Sequence, residues 1–187
     1  LGDIGSGKSY IANKFGYPVF NADEEVGKLY KRNKRIFIKL KKVLPKFIYS
    51  FPINKNEIIN AIFANKINLK KITKIIHSEI RKEMNKFLKK HINKKIVILD
   101  IPLLLENKIN KKNDILIFVE SKQSEILKRL KKRKNFNQKL FEKFKNVQLS
   151  LNYKKKKSQF VIKNDFTKNT IKKYINDTLN QIFIWKK

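Results

Sequence analysis

The chemistry that this sequence suggests most directly is phosphate binding. Residues 2–9 read Gly-Asp-Ile-Gly-Ser-Gly-Lys-Ser and fit the pattern G-x-x-x-x-G-K-[ST]. In this pattern a glycine-rich turn brings backbone N–H groups against nucleotide phosphates, and the helix that follows attracts anions to its N-terminal end. We therefore predict that Lys8 reaches the terminal phosphates and that the Ser9 hydroxyl lies on a magnesium ion. The alternative is a chance glycine-rich turn before a helix.

Three acidic residues at or beyond the ends of predicted strands are candidates for the same site: Asp23, Asp100 and Glu106. Ligand sites of open α/β sheets gather at the carboxyl ends of the strands. Asp100 follows the apolar run Ile96–Leu99, the usual place of a magnesium-organising acid. The alternatives are a strand-end cap for Asp100, a helix N-cap for Asp23 and a solvated loop acid for Glu106.

The segments that must position these residues alternate between strand and helix patterns. Apolar runs predict strands at 18–20, 96–99, 115–119 and 160–162. Helices are expected at 10–15, 36–43, 57–63, 69–92, 137–157 and 171–184, with another that is capped by Ser121 and runs to Arg133. The pattern predicts an α/β fold, a doubly wound parallel sheet with right-handed crossovers. In this architecture a strand precedes the phosphate loop. Only Leu1 precedes Gly2, so we expect that this first strand is largely missing and that the chain begins inside a longer sequence or at a misplaced start.

Composition narrows the class of protein. A chain of 187 residues with a hydrophobic fraction of 41% is expected to form one domain with a real core. The absence of cysteine excludes disulfides, zinc–thiolate sites and cysteine nucleophiles. No apolar run is long enough to cross a bilayer, and no signal peptide is visible. A soluble cytoplasmic enzyme without a membrane partner is expected.

The net charge of +31 invites a nucleic-acid interpretation. Against it, only five of the 46 basic residues are arginine, and the lysines are scattered through every segment. No helix-turn-helix, zinc-finger or RNA-binding-sheet pattern is present. The densest run, Lys154–Lys157, is either a solvated helix face or a phosphate-facing lid. We predict no specific nucleic-acid partner; a basic nucleic-acid-associated protein with a degenerate phosphate loop is the less favoured alternative.

Further segments match one family in order along the chain. They are Asn21-Ala22-Asp23, Ala61–Asn65, Ile76-His77, Asp100–Asn107, Leu127–Arg129 with Arg133, Gln148, and Val161–Asn164. With the phosphate loop, they make the sequence resemble the dephospho-CoA kinases, the enzymes of the last step in coenzyme A synthesis. The segment that fits D-x-P-L-L-x-E at 100–106 is more specific than the phosphate loop, which many kinases share. Three departures are Asp3 in place of a glycine, Tyr10 in place of a small residue, and Asn21 in place of an acid.

The resemblance implies a reaction and its reactants. The γ-phosphoryl group of ATP would pass to the ribose 3′-hydroxyl of dephospho-CoA, with Mg²⁺ as the metal. A P-loop kinase for another small molecule (a nucleoside, nucleotide or polyol) is the first alternative. The core would comprise about 1–23, 94–128 and 158–187, with a helical substrate-binding subdomain at about 24–93 and a helical lid at about 129–157. No oligomeric state is predicted.

The resemblance also implies roles for individual residues. Asp23 would orient the attacking hydroxyl and accept its proton, and the other catalytic residues would be Lys8, Arg129 and Arg133. The ATP-binding residues would be Gly5, Ser6, Gly7, Lys8, Ser9, Tyr10 and Asn164, and the metal ligands Ser9 and Asp100. Weaker substrate-binding candidates are His77, Leu103 and Glu106. For the two arginines a solvated helix face is the alternative, and for His77 a structural role.

Overall fold

The chain forms two compact units, one of residues Leu1–Val19 and Ile98–Lys187 and the other of residues Phe20–Val97. The structure is a computed structural model that describes residues 1–133 and 136–185. Its described part is an α/β fold with nine helices and four short strands. We describe each unit by itself.

The first unit contains three of the four described strands, and two of them pair in parallel. The three are β2 (Ile98–Asp100), β3 (Ile117–Glu120) and β4 (Phe160–Lys163), while β1 (Val19–Asn21) carries the chain into the second unit. Strands β3 and β4 run parallel, with Ile117 opposite Phe160 and Val119 opposite Ile162. On the other side of β3, Gly2 forms a parallel bridge to Val119. Leu1 and Gly2 thus lie where the strand before the phosphate loop is expected.

Helices pack against these strands through a common apolar cluster. The helices of the first unit are α1 (Lys8–Lys14), α6 (Gln123–Lys131), α7 (Gln138–Lys145), α8 (Leu151–Lys157) and α9 (Lys168–Trp185). The cluster joins two strands to α1 and α9, and its buried members are Ile11, Phe15, Val119, Ile162, Ile171 and Ile175. Residues four apart on a helix lie on one face, which is why Ile11 and Phe15, the C-cap of α1, point inward, as do Ile171 and Ile175 of α9. This cluster holds α1, and with it the phosphate loop, against the strands.

The second unit is helical after the end of β1. It consists of α2 (Ala22–Arg32), α3 (Lys34–Val43), α4 (Lys55–Ala64) and α5 (Lys66–Lys90). The apolar stripe predicted for 69–92 supplies the buried residues Ile72, Ile76, Ile80 and Met84 of α5. Each helix begins at an asparagine whose side chain accepts a hydrogen bond from the helix backbone: Asn21, Asn33, Asn54 and Asn65. Asparagine is among the best N-caps, so these asparagines set the helix boundaries of this unit.

Three sequence-based expectations need correction. Ser121 is not a helix N-cap: α6 begins one residue after Lys122 and has no side-chain cap. Residues 137–157 form two helices, because Ser150 caps a new helix by accepting a hydrogen bond from the Tyr153 N–H. The run 96–99 is half-buried rather than buried on both faces. In the described part of the chain, no helix has the length and apolarity that a membrane span requires.

The asparagine caps give a prediction about stability. Replacing Asn21 with alanine removes the acceptor of the Glu24 N–H, which lies 3.0 Å from the Asn21 side chain. We expect Asn21→Ala to lower the free energy of unfolding by about 1 kcal/mol, measured by urea denaturation. Asn21→Asp is the matched control, because aspartate caps about as well as asparagine. Equal destabilisation by the two substitutions would contradict the capping role.

Candidate active site

The phosphate loop (residues 2–9) has the backbone conformation that its glycines allow. The φ angles of Gly2, Gly5 and Gly7 are 139°, 85° and 90°, values that side chains disfavour. Gly7 is the residue from which α1 begins. A Cβ atom on Gly7 would lie 2.5 Å from Nδ2 of Asn164, so neither the backbone angle nor the available space accommodates a side chain there.

The carbonyl group of Ser6 is held by two side chains. The Ser121 hydroxyl donates to it at 3.0 Å, and the Asn164 amide donates at 2.7 Å. Asn164 is 4% exposed, and its own carbonyl accepts a hydrogen bond from the Phe166 N–H at 2.8 Å. Asn164, predicted to bind ATP, therefore contacts the loop backbone and ties it to the end of β4.

Asp3 is held on both carboxylate oxygens. Oδ1 accepts from the Ile4 N–H at 2.7 Å, and Oδ2 accepts from the Gln123 side chain at 2.6 Å. Among the described residues, the non-glycine residues with left-handed φ are Lys108 and Phe166. Asp3 is not one of them, so its backbone tolerates a side chain where the resembled family has glycine. Sequence reasoning missed the contacts of Ser121 and Gln123 with the loop. The signal that could have indicated these contacts is the position of both residues just after β3.

The Lys8 ammonium lies inside the turn of the loop. Its Nζ donates to the carbonyl oxygen of Asp3 at 2.6 Å and to that of Gly2 at 3.3 Å. Ser9 and Tyr10 follow on the exposed side of α1. The Tyr10 ring is 44% exposed and lies 5.5 Å from the Lys14 ammonium. Lys8 thus contributes a positive charge at the place where the loop N–H groups and the helix N-terminus also favour an anion.

One of the two predicted arginines lies near the loop. The Arg129 guanidinium stacks 4.3 Å from the centre of the Phe166 ring. That ring borders Gly7, where an added Cβ would lie 3.5 Å from Phe166 Cε1. Arg133 is exposed just after α6, and its backbone N–H donates to the Leu130 carbonyl. Residues 134 and 135, in the predicted lid, lie outside the described residues.

Charged side chains gather around the amino group of Leu1. Its pKa is lowered to about 5, mainly by burial and by the positive charge of Lys8, while Asp100 acts in the opposite direction. Lys154 lowers this pKa and Glu106 raises it. Asp100 is the last residue of β2 and is 7% exposed.

Two interpretations of exposed charges are wrong. Glu106 is not a solvated loop acid, because its Oε1 lies 2.7 Å from the Lys154 Nζ and its side chain is 9% exposed. Lys154 does not lie on a solvated helix face either, since its side chain is 1% exposed. Lys155, Lys156 and Lys157 are exposed as expected. Leu103 is half-buried, and its backbone carbonyl accepts two hydrogen bonds from Asn107.

The remaining site candidates belong to the second unit. Asp23 is exposed in the first turn of α2. It is not the N-cap, because the Asn21 side chain accepts the hydrogen bond that caps this helix. His77 lies half-buried on α5, where burial and then the positive charge of Arg81 lower its pKa. His77 is therefore neutral near pH 7 and is not a cation for a phosphate group.

The side chains predicted to bind magnesium, Ser9 and Asp100, carry oxygen atoms, the ligand type that this ion prefers. Among residues 1–133 and 136–185, no group of three or more His, Cys, Asp or Glu side chains is arranged to hold a metal. Mg²⁺ prefers oxygen ligands, keeps several waters, and is usually bound by one or two protein groups together with substrate phosphates. The Ser9 hydroxyl and the Asp100 carboxylate have the donor chemistry that such a shared site needs.

Comparison with solved structures finds chains with a similar fold. The protein TT1252 from Thermus thermophilus aligns with a TM-score of 0.78 at 21% identity, covering 96% of this chain and 94% of that one. Dephospho-CoA kinase from Campylobacter jejuni aligns with a TM-score of 0.63 at 22% identity, covering 97% and 94%. These similarities establish the fold.

Sequence comparison gives the family. A protein of Wolbachia pipientis wMel named dephospho-CoA kinase is 32% identical over 186 residues, covering 97% of this chain and 95% of its own. A protein of the same name from Rickettsia bellii is 30% identical over 182 residues, covering 95% and 93%. The family model for dephospho-CoA kinase matches residues 1–170. With the phosphate loop in place, these matches show that the chain belongs to the dephospho-CoA kinase family.

Proposed function

We propose that this chain transfers the γ-phosphoryl group of ATP to the 3′-hydroxyl of dephospho-CoA, giving coenzyme A and ADP. The observation that carries this proposal is the phosphate loop, with Lys8 inside its turn, in a chain that matches the family over residues 1–170. Another small-molecule kinase would share the loop. The family match and the D-x-P-L-L-x-E segment at 100–106 favour dephospho-CoA as the acceptor.

Finer features of the architecture belong to the same proposal. We infer a doubly wound sheet, a helical substrate-binding subdomain at about 24–93 and a helical lid at about 129–157. Support for the sheet comes from the parallel alignment of Gly2, β3 and β4. Support for the lid comes from the short basic helices α7 and α8 that fill most of this range. The enzyme is proposed to be cytoplasmic and to have no specific nucleic-acid partner.

The loop and its neighbours would bind ATP. The N–H groups of Gly5, Gly7 and Ser9 would donate to the phosphates, and Lys8 would move from the loop carbonyls to the terminal phosphates. Ser6 would belong to the ATP site by shaping the loop, since its N–H donates to the Asp3 carbonyl at 3.2 Å. Tyr10 and Asn164 complete the proposed ATP site, Asn164 by holding the Ser6 carbonyl. Phosphoryl transfer has a loose transition state, so positioning and charge stabilisation supply most of the acceleration.

Asp23 would act on the acceptor. Its carboxylate would orient the 3′-hydroxyl and take its proton as the oxygen–phosphorus bond forms. The bond from the γ-phosphorus to the bridging oxygen breaks, and ADP leaves with that oxygen. Arg129 and Arg133 would stabilise the charge on the transferred group. The three weaker candidates for contacts with dephospho-CoA are His77, Leu103 and Glu106.

Ser9 and Asp100 would hold the magnesium ion, Ser9 through its hydroxyl and Asp100 through its carboxylate. When bound, the ion neutralises charge on the phosphate oxygens. Lys8 and Ser9 are consecutive, so the first turn of α1 provides both the cation and the hydroxyl. Asp100 approaches from the end of β2.

Removing the Lys8 charge tests the assignment as a kinase. Lys8→Ala should lower turnover by at least about 10²-fold without unfolding the protein, because it removes charge stabilisation and no core contact. A coupled ADP-release assay would compare dephospho-CoA with adenosine, nucleoside monophosphates and gluconate, and circular dichroism would report folding. Near-normal turnover by Lys8→Ala would refute the kinase assignment. A clear preference of the wild-type chain for another acceptor would refute only the substrate.

A second test separates the base from the metal ligand. Asp23→Asn removes a carboxylate that does not cap α2, and we expect kcat to fall by about 10²–10⁴-fold with little change in ATP affinity. Asp100→Asn should instead weaken the response to Mg²⁺, so that a higher metal concentration recovers part of the rate. Magnesium titrations of both variants measure the difference. Recovery for Asp23→Asn and none for Asp100→Asn would reverse the two roles.

The side-chain hydrogen bonds to the Ser6 carbonyl give a third test. Asn164→Ala removes hydrogen bonds to Ser6 and Phe166, each worth about 1 kcal/mol. We expect the KM for ATP to rise by roughly tenfold, since the loop must then be ordered by the nucleotide. Ser121→Ala, which removes only the other hydrogen bond to Ser6, should raise this KM by a smaller factor. An unchanged KM for ATP in Asn164→Ala would show that the loop is ordered without this contact.

A further inference from the structure

The first unit contains a buried ion pair outside the phosphate loop. Lys154 is one of four consecutive lysines in α8, and it alone is buried, with a side chain that is 1% exposed. Its Nζ lies 2.7 Å from Glu106 Oε1 and 3.2 Å from the Gln148 side-chain oxygen. The Leu149 N–H also donates to Glu106 Oε1, at 3.0 Å. Lys154 and the Leu149 N–H thus bind the same oxygen of the Glu106 carboxylate, while Gln148 accepts a second hydrogen bond from Lys154.

The second oxygen of that carboxylate is different. Within the described part of the chain, Glu106 Oε2 is buried and has no hydrogen-bond partner. A buried charged oxygen without a donor is costly, and proteins usually satisfy such atoms. Two donors, the Lys154 ammonium and the Leu149 N–H, therefore orient Glu106 through Oε1, and Oε2 is left as an unused acceptor. An acceptor of this kind suits a ligand that brings its own N–H or O–H group.

The location of the pair connects it with the site. Glu106 lies six residues after Asp100, the predicted metal-organising acid, in the segment that follows β2. This segment is folded back on itself, because Asn107 donates twice to the Leu103 carbonyl. Lys154 enters from α8, in the range of the proposed lid. The ion pair thus ties the segment after Asp100 to the helix before β4.

We propose that Lys154 is a positioning residue that holds Glu106 so that its Oε2 accepts a hydrogen bond from a hydroxyl or amide N–H group of the acceptor substrate. This proposal rests on the proposed function, because the acceptor is taken to be dephospho-CoA. The proposal gives a role to Lys154, whose neighbours Lys155, Lys156 and Lys157 are exposed. Lys154 does not touch the substrate and acts through Glu106.

The decisive variant is Glu106→Gln. Glutamine keeps an oxygen toward Lys154 and Leu149, and it turns the unused acceptor into an NH₂ donor that opposes a substrate donor. We expect the KM for dephospho-CoA to rise at least about tenfold, while the KM for ATP stays within about twofold. Isothermal titration of dephospho-CoA should show the same loss of affinity without turnover. Glu120→Gln is the matched control. It alters the exposed ion pair between Glu120 and Lys155, the residue that follows Lys154 in α8, and should change neither KM.

A double-mutant cycle tests the role of Lys154. Lys154→Met leaves the Glu106 carboxylate unpaired and is expected to lower the melting temperature as well as dephospho-CoA affinity. In Lys154→Met/Glu106→Gln, the effects on dephospho-CoA affinity should be less than additive, since both changes act on one contact. Additive effects would overturn the positioning role. If Lys154→Met does not fold, Glu106→Gln still decides the acceptor contact.

The experiments distinguish a failure of this inference from a failure of the proposed function. If Glu106→Gln binds dephospho-CoA as the wild-type protein does, or if the KM for ATP rises as much as that for dephospho-CoA, this inference is wrong and the kinase assignment stands. If the wild-type chain turns over ATP but phosphorylates a different acceptor, the proposed substrate is wrong. The Glu106→Gln comparison repeated with that acceptor then tests the same contact.

Discussion

A loop that presents its N–H groups to phosphate must turn its carbonyl groups toward the protein, and these carbonyls need donors. This constraint organises the first unit. The Ser6 carbonyl receives Ser121 from the end of β3 and Asn164 from the end of β4. The carbonyls of Gly2 and Asp3 receive Lys8. The strand ends therefore matter as much for their donors to the loop as for any contact with a ligand, and the apolar cluster beneath them keeps those donors in place.

Sequence reasoning succeeded for features that depend on residue spacing or on repetition along the chain. The phosphate loop is predicted from residue types at fixed spacing, and Gly2, Gly5 and Gly7 have the positive φ angles that glycine allows in such a turn. The stripe on α5 and the strand runs after residue 110 follow from hydrophobic periodicity, since packing against a core imposes it. The α/β class and the parallel strands were predicted for this reason. These features depend on neighbours in sequence, or on repetition that a single chain displays.

Contacts across the fold were not predictable in this way. Ser121 looked like a helix cap because serine often precedes a helix, yet its hydroxyl reaches a loop 115 residues earlier in the chain. Gln123 pairs with Asp3 across a similar distance. Asp23 was considered as the N-cap of α2, yet Asn21 caps this helix, because β1 ends at Asn21 and the helix begins directly after it. Each of these outcomes is decided by tertiary geometry, which the spacing of one sequence does not contain.

The excess of lysine over arginine has a chemical consequence at Glu106. An arginine at position 154 would present a planar fork that binds both oxygens of a carboxylate. The lysine ammonium is a compact point charge, and it lies 2.7 Å from Oε1 while Gln148 accepts another of its hydrogens. Oε2 is therefore left with lone pairs and no donor. The lysines look unselective in the sequence, yet one of them, Lys154, is buried and orients the Glu106 carboxylate through Oε1. The other oxygen of this carboxylate can still accept a hydrogen bond.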